Sequence, residues 1–80
     1  MKLYLLEQND NNGYDIYDSL LVCAENEADA ITIGPDGELF KEADEWADWA
    51  LSKESITCKE IGEANEMQER GVIISSFNAG

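Results

Sequence analysis

Glu38 and Glu42 stand four residues apart, Asp44 and Asp48 repeat that interval, and Glu45 lies three residues before Asp48. On a helix, side chains at this spacing are ~5–6 Å apart, close to the interval between successive phosphates along one DNA strand. A row of carboxylates so placed can imitate a nucleic-acid backbone and occupy a basic channel, and release of the channel's counterions adds affinity and salt dependence. Glu25, Glu27 and Asp29 form a second acidic cluster upstream. Nine of the eighteen acids fall between Glu25 and Asp48 against one base, Lys41, so 9 − 1 leaves −8 of the total charge of −13 in that segment. The competing reading is a solvated acidic face that serves solubility, and charge alone favours it.

Other chemistry is poorly supplied. The chain has no His, which removes the commonest general base and a common metal ligand. Cys23 and Cys58 lack a His partner and sit in strand-like segments, so neither reads as a nucleophile. Carboxylate pairs such as Asp15/Asp18 and Glu42/Glu45 could do acid–base work only if burial separated their pKa values, and both lie in polar contexts. The sequence therefore predicts no enzyme, no catalytic residue and no cofactor. Asp10, Asn11, Asn12 and Gly13, with Asp15 and Asp18, place oxygen ligands near a glycine turn. Against the calcium-loop template, however, Gln8 stands where the first Asp belongs and Ser19 where the bidentate Glu belongs. The expectation is a solvated turn-rich loop without a metal.

With five bases among eighteen acids, direct binding to nucleic acid is excluded on phosphate neutralisation alone. The negative field likewise repels anionic lipid and attracts basic surfaces. No apolar run approaches ~18 residues, so no membrane span is predicted. The apolar start at Leu3–Leu6 breaks at Glu7, which does not read as a secretory signal. Two cysteines in a cytoplasmic chain read as reduced, partly buried thiols.

The elements that must position these residues follow from pattern. Eighty residues make one domain, 1–80, and 44% hydrophobic content including two Trp, three Tyr and two Phe is enough for a core. Leu3-Tyr4-Leu5-Leu6 gives a strand over 2–8, closed by a turn-forming loop. Ser19 to Ala24 gives a second, paired with the first as an antiparallel hairpin. Asn26 caps a short helix over 27–33, with Asp29 completing a capping-box-like pattern, and Gly34-Pro35 ends it. Leu39, Phe40, Ala43, Trp46, Ala47 and Ala50 recur at helical spacing, which predicts a second amphipathic helix over 38–51. An irregular loop that pins its tryptophans is the competing reading. Trp46 reads as a core anchor; Trp49, three residues on, is expected half-exposed and available to a partner. Ser55 to Ile61 gives a third strand, bulged between Cys58 and Ile61, and Gly71 to Phe77 a fourth. The predicted class is α+β: a single antiparallel sheet of three to four strands, order β-β-α-(α)-β-β, covered by one or two short helices.

Leu5-Leu6-Glu7-Gln8, Asn12-Gly13-Tyr14-Asp15 and Tyr17-Asp18-Ser19 at one end, with Ile61-Gly62-Glu63-Ala64 and Gly71-Val72-Ile73-Ile74-Ser75-Ser76-Phe77-Asn78-Ala79-Gly80 at the other, resemble a family of small proteins of bacteriophages and prophages. Together they cover roughly half the chain, and Ser-Phe-Asn-Ala-Gly is the most specific piece. The resemblance carries no site residues. It implies a phage origin and a cytoplasmic setting in an infected bacterium. By analogy of class, it also implies a protein that binds and disables host machinery such as CRISPR complexes, restriction enzymes or polymerases. The expected partner is then a basic surface of a host protein or ribonucleoprotein, met by Glu38, Glu42, Asp44, Glu45, Asp48 and Trp49, with Glu25, Glu27 and Asp29 as the second cluster. The alternative is a small structural or regulatory phage protein that self-associates, as a homodimer, through its sheet edge.

Self-repulsion among so many like charges opposes the compact state and is relieved by screening. The thermal midpoint of the pure protein should therefore rise from low to moderate salt in a calorimetric series. A flat or falling response would show that the charges are dispersed or already paired.

Overall fold

The alternating apolar positions of four segments build one sheet. In the computed structural model, which describes residues 1–11, 15–40 and 48–78, the strands are β1 (Lys2–Gln8), β2 (Ile16–Ala24), β3 (Ile56–Glu63) and β4 (Gly71–Asn78). Their spatial order is β3-β1-β2-β4, with every pairing antiparallel. β1 and β2 form the central hairpin, with Tyr4 opposite Val22 and Leu6 opposite Leu20. These four, with Ala24, point to one face and are buried. The expected bulge in β3 is present: the register jumps from Glu60 opposite Tyr4 to Gly62 opposite Leu3, leaving Ile61 as the extra residue.

Among the described residues one α-helix, α1 (Glu27–Ala30), lies over the buried face. Its start matches the expectation. The Asp29 N–H donates to Asn26 Oδ1 (2.8 Å), and Asp29 Oδ2 accepts from the Glu25 N–H (3.0 Å). The helix stops three residues short of the predicted end. The Thr32 N–H and hydroxyl both turn back to the Asp29 carbonyl, at 3.1 and 2.6 Å. The Ile33 N–H closes a tighter i→i+3 bond to Ala30, so the α ladder ends. The chain then forms a small hairpin: Phe40 N–H reaches Thr32 O (2.6 Å), Ile33 bridges Leu39, and Gly37 N–H closes a turn on Gly34 O (2.9 Å). Gly37 has φ +84°, a left-handed conformation that glycine adopts without strain.

The predicted helix over 38–51 is corrected at both ends. Glu38 to Phe40 belong to that hairpin, and Asp48 to Ala50 are irregular. Residues 41–47, where the rest of that helix and Trp46 would lie, are outside the described residues. A 3₁₀ turn at Lys53–Ser55 leads into β3. Phe40, Trp49 and Ala50 join Ala30 and Ile33 in closing the core over the sheet. Cys23 and Cys58 are free thiols. Cys58 packs on the core side, where burial first and Glu27 second push its thiol above the ordinary range. Cys23 is opposite Leu3 and lies on the other face, so the sheet itself separates the two.

The order β3-β1-β2-β4 sends the β3–β4 connection across the end of the central hairpin, and Arg70 ties it to α1. Arg70 Nε donates to both Asp29 oxygens (3.0 and 2.9 Å), and Nη2 to Oδ1 (2.7 Å). The Arg70 guanidinium, with the Glu25 N–H, holds the Asp29 carboxyl below the usual range. A depressed folded-state pKa contributes stability that is present above the unfolded carboxylate pKa of about 3.9 and lost as pH falls through that region. The gap in urea midpoint between wild type and Arg70→Gln should thus be widest near neutrality and close below about pH 4. A gap independent of pH would assign Arg70 a packing role alone.

Candidate interaction surface

A short irregular segment, Asp48 to Ser52, is fixed to the sheet by the β1–β2 hairpin. The Tyr17 N–H donates to the Asp48 carbonyl (2.6 Å), and Asn11 Nδ2 to the Trp49 carbonyl (2.9 Å). Asp10 receives the Leu51 N–H on Oδ1 (2.9 Å) and the Ser52 hydroxyl on Oδ2 (3.0 Å). Gln8 in turn fixes the loop, since its Oε1 accepts from the Asp10 and Asn11 N–H groups at 3.1 and 2.9 Å. Partial burial pushes the Asp10 carboxyl up, but the Leu51 N–H and the serine hydroxyls outweigh it and hold the group below its ordinary range. The loop predicted as solvated is therefore a clamp. Its Asp and Asn residues were visible in the sequence; their partners forty residues on had no local signature.

Trp49 corrects the expectation of a half-exposed partner residue. It is 4% exposed and packs in the core cluster. The physical reason is the clamp: bonds to the backbone on both sides of the residue hold its side chain against the sheet. Its indole N–H is buried with no acceptor, which costs about 1–3 kcal/mol and shows that apolar packing dominates there.

The acidic residues divide. Glu25, Glu27, Glu38 and Asp48 are exposed, all in the layer that covers the core face, and Asp36 on the same layer joins them. Asp29 is partly buried and committed to Arg70. Among the described residues the ion pairs are Asp29–Arg70 and Lys2–Glu60, so no described base pairs with the five exposed carboxylates of this layer. Glu42, Asp44 and Glu45 lie outside the described residues. Because Glu38 follows a turn and Asp48 is irregular, the helical interval from Glu38 to Glu42, and from Asp44 to Asp48, is not supported at the ends that are described.

A hollow lined by Thr32, Gly37, Glu38, Leu39 and Arg70 offers one carboxylate and a guanidinium already bonded to Asp29. Among the described residues, no three potential ligands gather to hold a metal ion, and no helix is long and apolar enough to cross a membrane. Compared with known proteins, the chain matches no family model, no curated protein and no solved structure.

Trp49→Ala removes the largest side chain closing the core, and such truncations cost about 3–5 kcal/mol. An 80-residue domain has a total stability of roughly 4–12 kcal/mol. Urea unfolding of this variant should show most of the stability lost. A loss under about 1 kcal/mol would mean that the segment is a loose flap.

Proposed function

We propose that the chain is a phage-encoded acidic binding protein that inhibits a host nucleic-acid-handling defence complex, of the anti-CRISPR or anti-restriction kind, by occupying a basic surface in place of nucleic acid. The observation that carries this reading is the set of exposed carboxylates Glu25, Glu27, Asp36, Glu38 and Asp48 on the covering layer, none of them ion-paired with a described base. That layer stands on a packed core and a hydrogen-bonded clamp, so its charges are held in place before any partner arrives, which limits the ordering cost of binding. Glu42, Asp44 and Glu45 add three further charges to the same stretch of chain. The setting proposed is the host bacterial cytoplasm.

A second reading, a small structural or regulatory phage protein acting by self-association, has its own support. The outer edge strand β4 carries no charge from Gly71 to Asn78, so it lacks the charged side chains that commonly guard exposed edges.

The test of the first reading is a pull-down from bacterial lysate with wild type and with Glu27→Lys/Glu38→Lys/Asp48→Lys. Wild type should retain a basic protein or ribonucleoprotein that is released at high salt. The triple variant should lose it while keeping its circular dichroism and urea midpoint within about 1 kcal/mol of wild type. Retention unaffected by the triple reversal would leave the layer a solvated surface only.

A further inference from the structure

The sheet has two faces, and the helix and the Phe40–Ala50 side of the core cover one of them. Along β1, Tyr4 and Leu6 point into that core, so Leu3 and Leu5 point the other way. The register places Leu5 beside Leu21 of β2 and Lys59 of β3, and Leu21 beside Ile74 of β4. None of these aliphatic residues belongs to the core cluster. Leu3, Leu5 and Leu21 are half-buried within the sheet, and Ile74 is 63% exposed. Domains are built from packed layers because a sheet face rich in aliphatic side chains needs a cover; Met1 covers the buried Cys23 at one end of this face, and around Leu5, Leu21 and Ile74 it has no cover among the described elements.

We infer that the open face of the sheet is covered by the same face of a second copy of this chain. Two features point to a second copy over another occupant. Charge is the first. Apart from Asp18 at the β2 bulge, the paired positions on this face carry Glu7 and Lys59, which cancel, in a chain whose net charge is −13. A basic partner is drawn to the opposite, acidic layer, and an anionic membrane is repelled by the whole molecule.

The second feature is self-complementarity. A two-fold axis parallel to the strands lays β1 of one copy over β2 of the other. Leu5 then meets Leu21, Leu3 lies over the row of Cys23, which Met1 already covers at 4.0 Å between the two sulfurs, and Glu7 meets Ser19, while Ile74 meets the aliphatic stem of Lys59. No carboxylate faces a carboxylate. An axis across the strands would instead stack Lys59 on Lys59.

Size sets the affinity. Four strands at about 4.8 Å spacing and about 25 Å of strand length give a footprint near 480 Å² before side-chain relief is added. That is below the ~800 Å² per partner of a standard interface, so the dimer is a weak one, dissociating on the order of micromolar. Because the two copies repel at long range, salt strengthens it, the reverse of what salt does to a basic partner on the acidic layer.

Sedimentation of the pure protein should show a monomer of 8.9 kDa in equilibrium with a species of twice that mass. The dimer should weaken several-fold between about 0.5 M and about 0.01 M salt, where the Debye length grows to ~30 Å. Leu21→Glu, at the centre of the face, should weaken association by at least about tenfold. As a variant pair less demanding of the fold, Leu5→Cys and Leu21→Cys chains, mixed and treated with a short bis-maleimide that spans the ~10 Å between packed sheets, should give a cross-linked dimer in excess of that from either chain alone. Monomers at every concentration and salt would overturn the inference. So would a dimer indifferent to Leu21→Glu and giving no excess cross-link from the mixture, which would place the contact at the β4 edge or the acidic layer.

Discussion

The hydrogen bonds between the β1–β2 loop and the Asp48–Ser52 segment are the constraint on which the rest of the molecule depends. A four-stranded sheet with one short helix cannot close its core: α1 spans four residues, Glu27–Ala30, and its buried contribution is small. The remaining cover has to come from irregular chain, which has no ladder of its own to hold it. Asp10, Asn11 and the Tyr17 N–H supply that missing ladder. With the backbone tied at Asp48, Trp49 and Leu51 and the Ser52 hydroxyl held as well, Trp49 and Ala50 join Tyr4, Leu6 and Leu20 in one continuous core. The carboxylate of Asp10 thus does for this segment what a neighbouring strand does for a strand.

That arrangement explains how one small chain carries a large negative charge and still folds. The acids Glu25, Glu27, Asp36, Glu38 and Asp48 of the covering layer are exposed, and so are Glu7, Asp15, Asp18, Glu54, Glu60, Glu63, Glu66 and Glu69 on the strands and connections. Asp29 sits inward and meets Arg70, the one base of the β3–β4 connection, residues 64–70. Asp10 sits inward and meets N–H and O–H donors. Carboxylates near the core are matched with donors, and unmatched ones are in water, which is the distribution that desolvation demands. The paired positions of the opposite sheet face carry Glu7 and Lys59 beside Leu3, Leu5 and Leu21, so that face is less charged than the covering layer.

How much of this was legible in the sequence depended on the range of the interaction. Asn26 as a cap, Gly34-Pro35 as a stop, the four strands and the irregularity before Gly62 were all readable, because each is set by residues within a few positions of one another. The strand order was not, since nothing near Ile56 or Gly71 says which side of the central hairpin each will join. The expected helix over 38–51 failed at its described ends for the same reason. Its apolar spacing was real, but Phe40 and Trp49 use that spacing to reach the sheet as separate anchors, one from a hairpin and one from a clamped loop. Trp49 was expected half-exposed because helical geometry was assumed for it; its burial follows from partners in the loop after β1. Of the candidate acids, Glu25, Glu27, Glu38 and Asp48 stand exposed as their polar surroundings implied, whereas the withdrawal of Asp29 depended on an arginine forty-one residues away.

The central hairpin has a consequence for how the sheet assembles. β3 and β4 each pair with an inner strand and lie at opposite rims. Neither has a template until β1 and β2 have zipped together, and each then joins through contacts distant in sequence, the slower kind to form. Growth therefore proceeds from the middle outward. Opening runs the other way: either rim can peel off while the inner pair and its clamp persist, so amide protons should survive longest along Leu3–Leu6 and Leu20–Ala24.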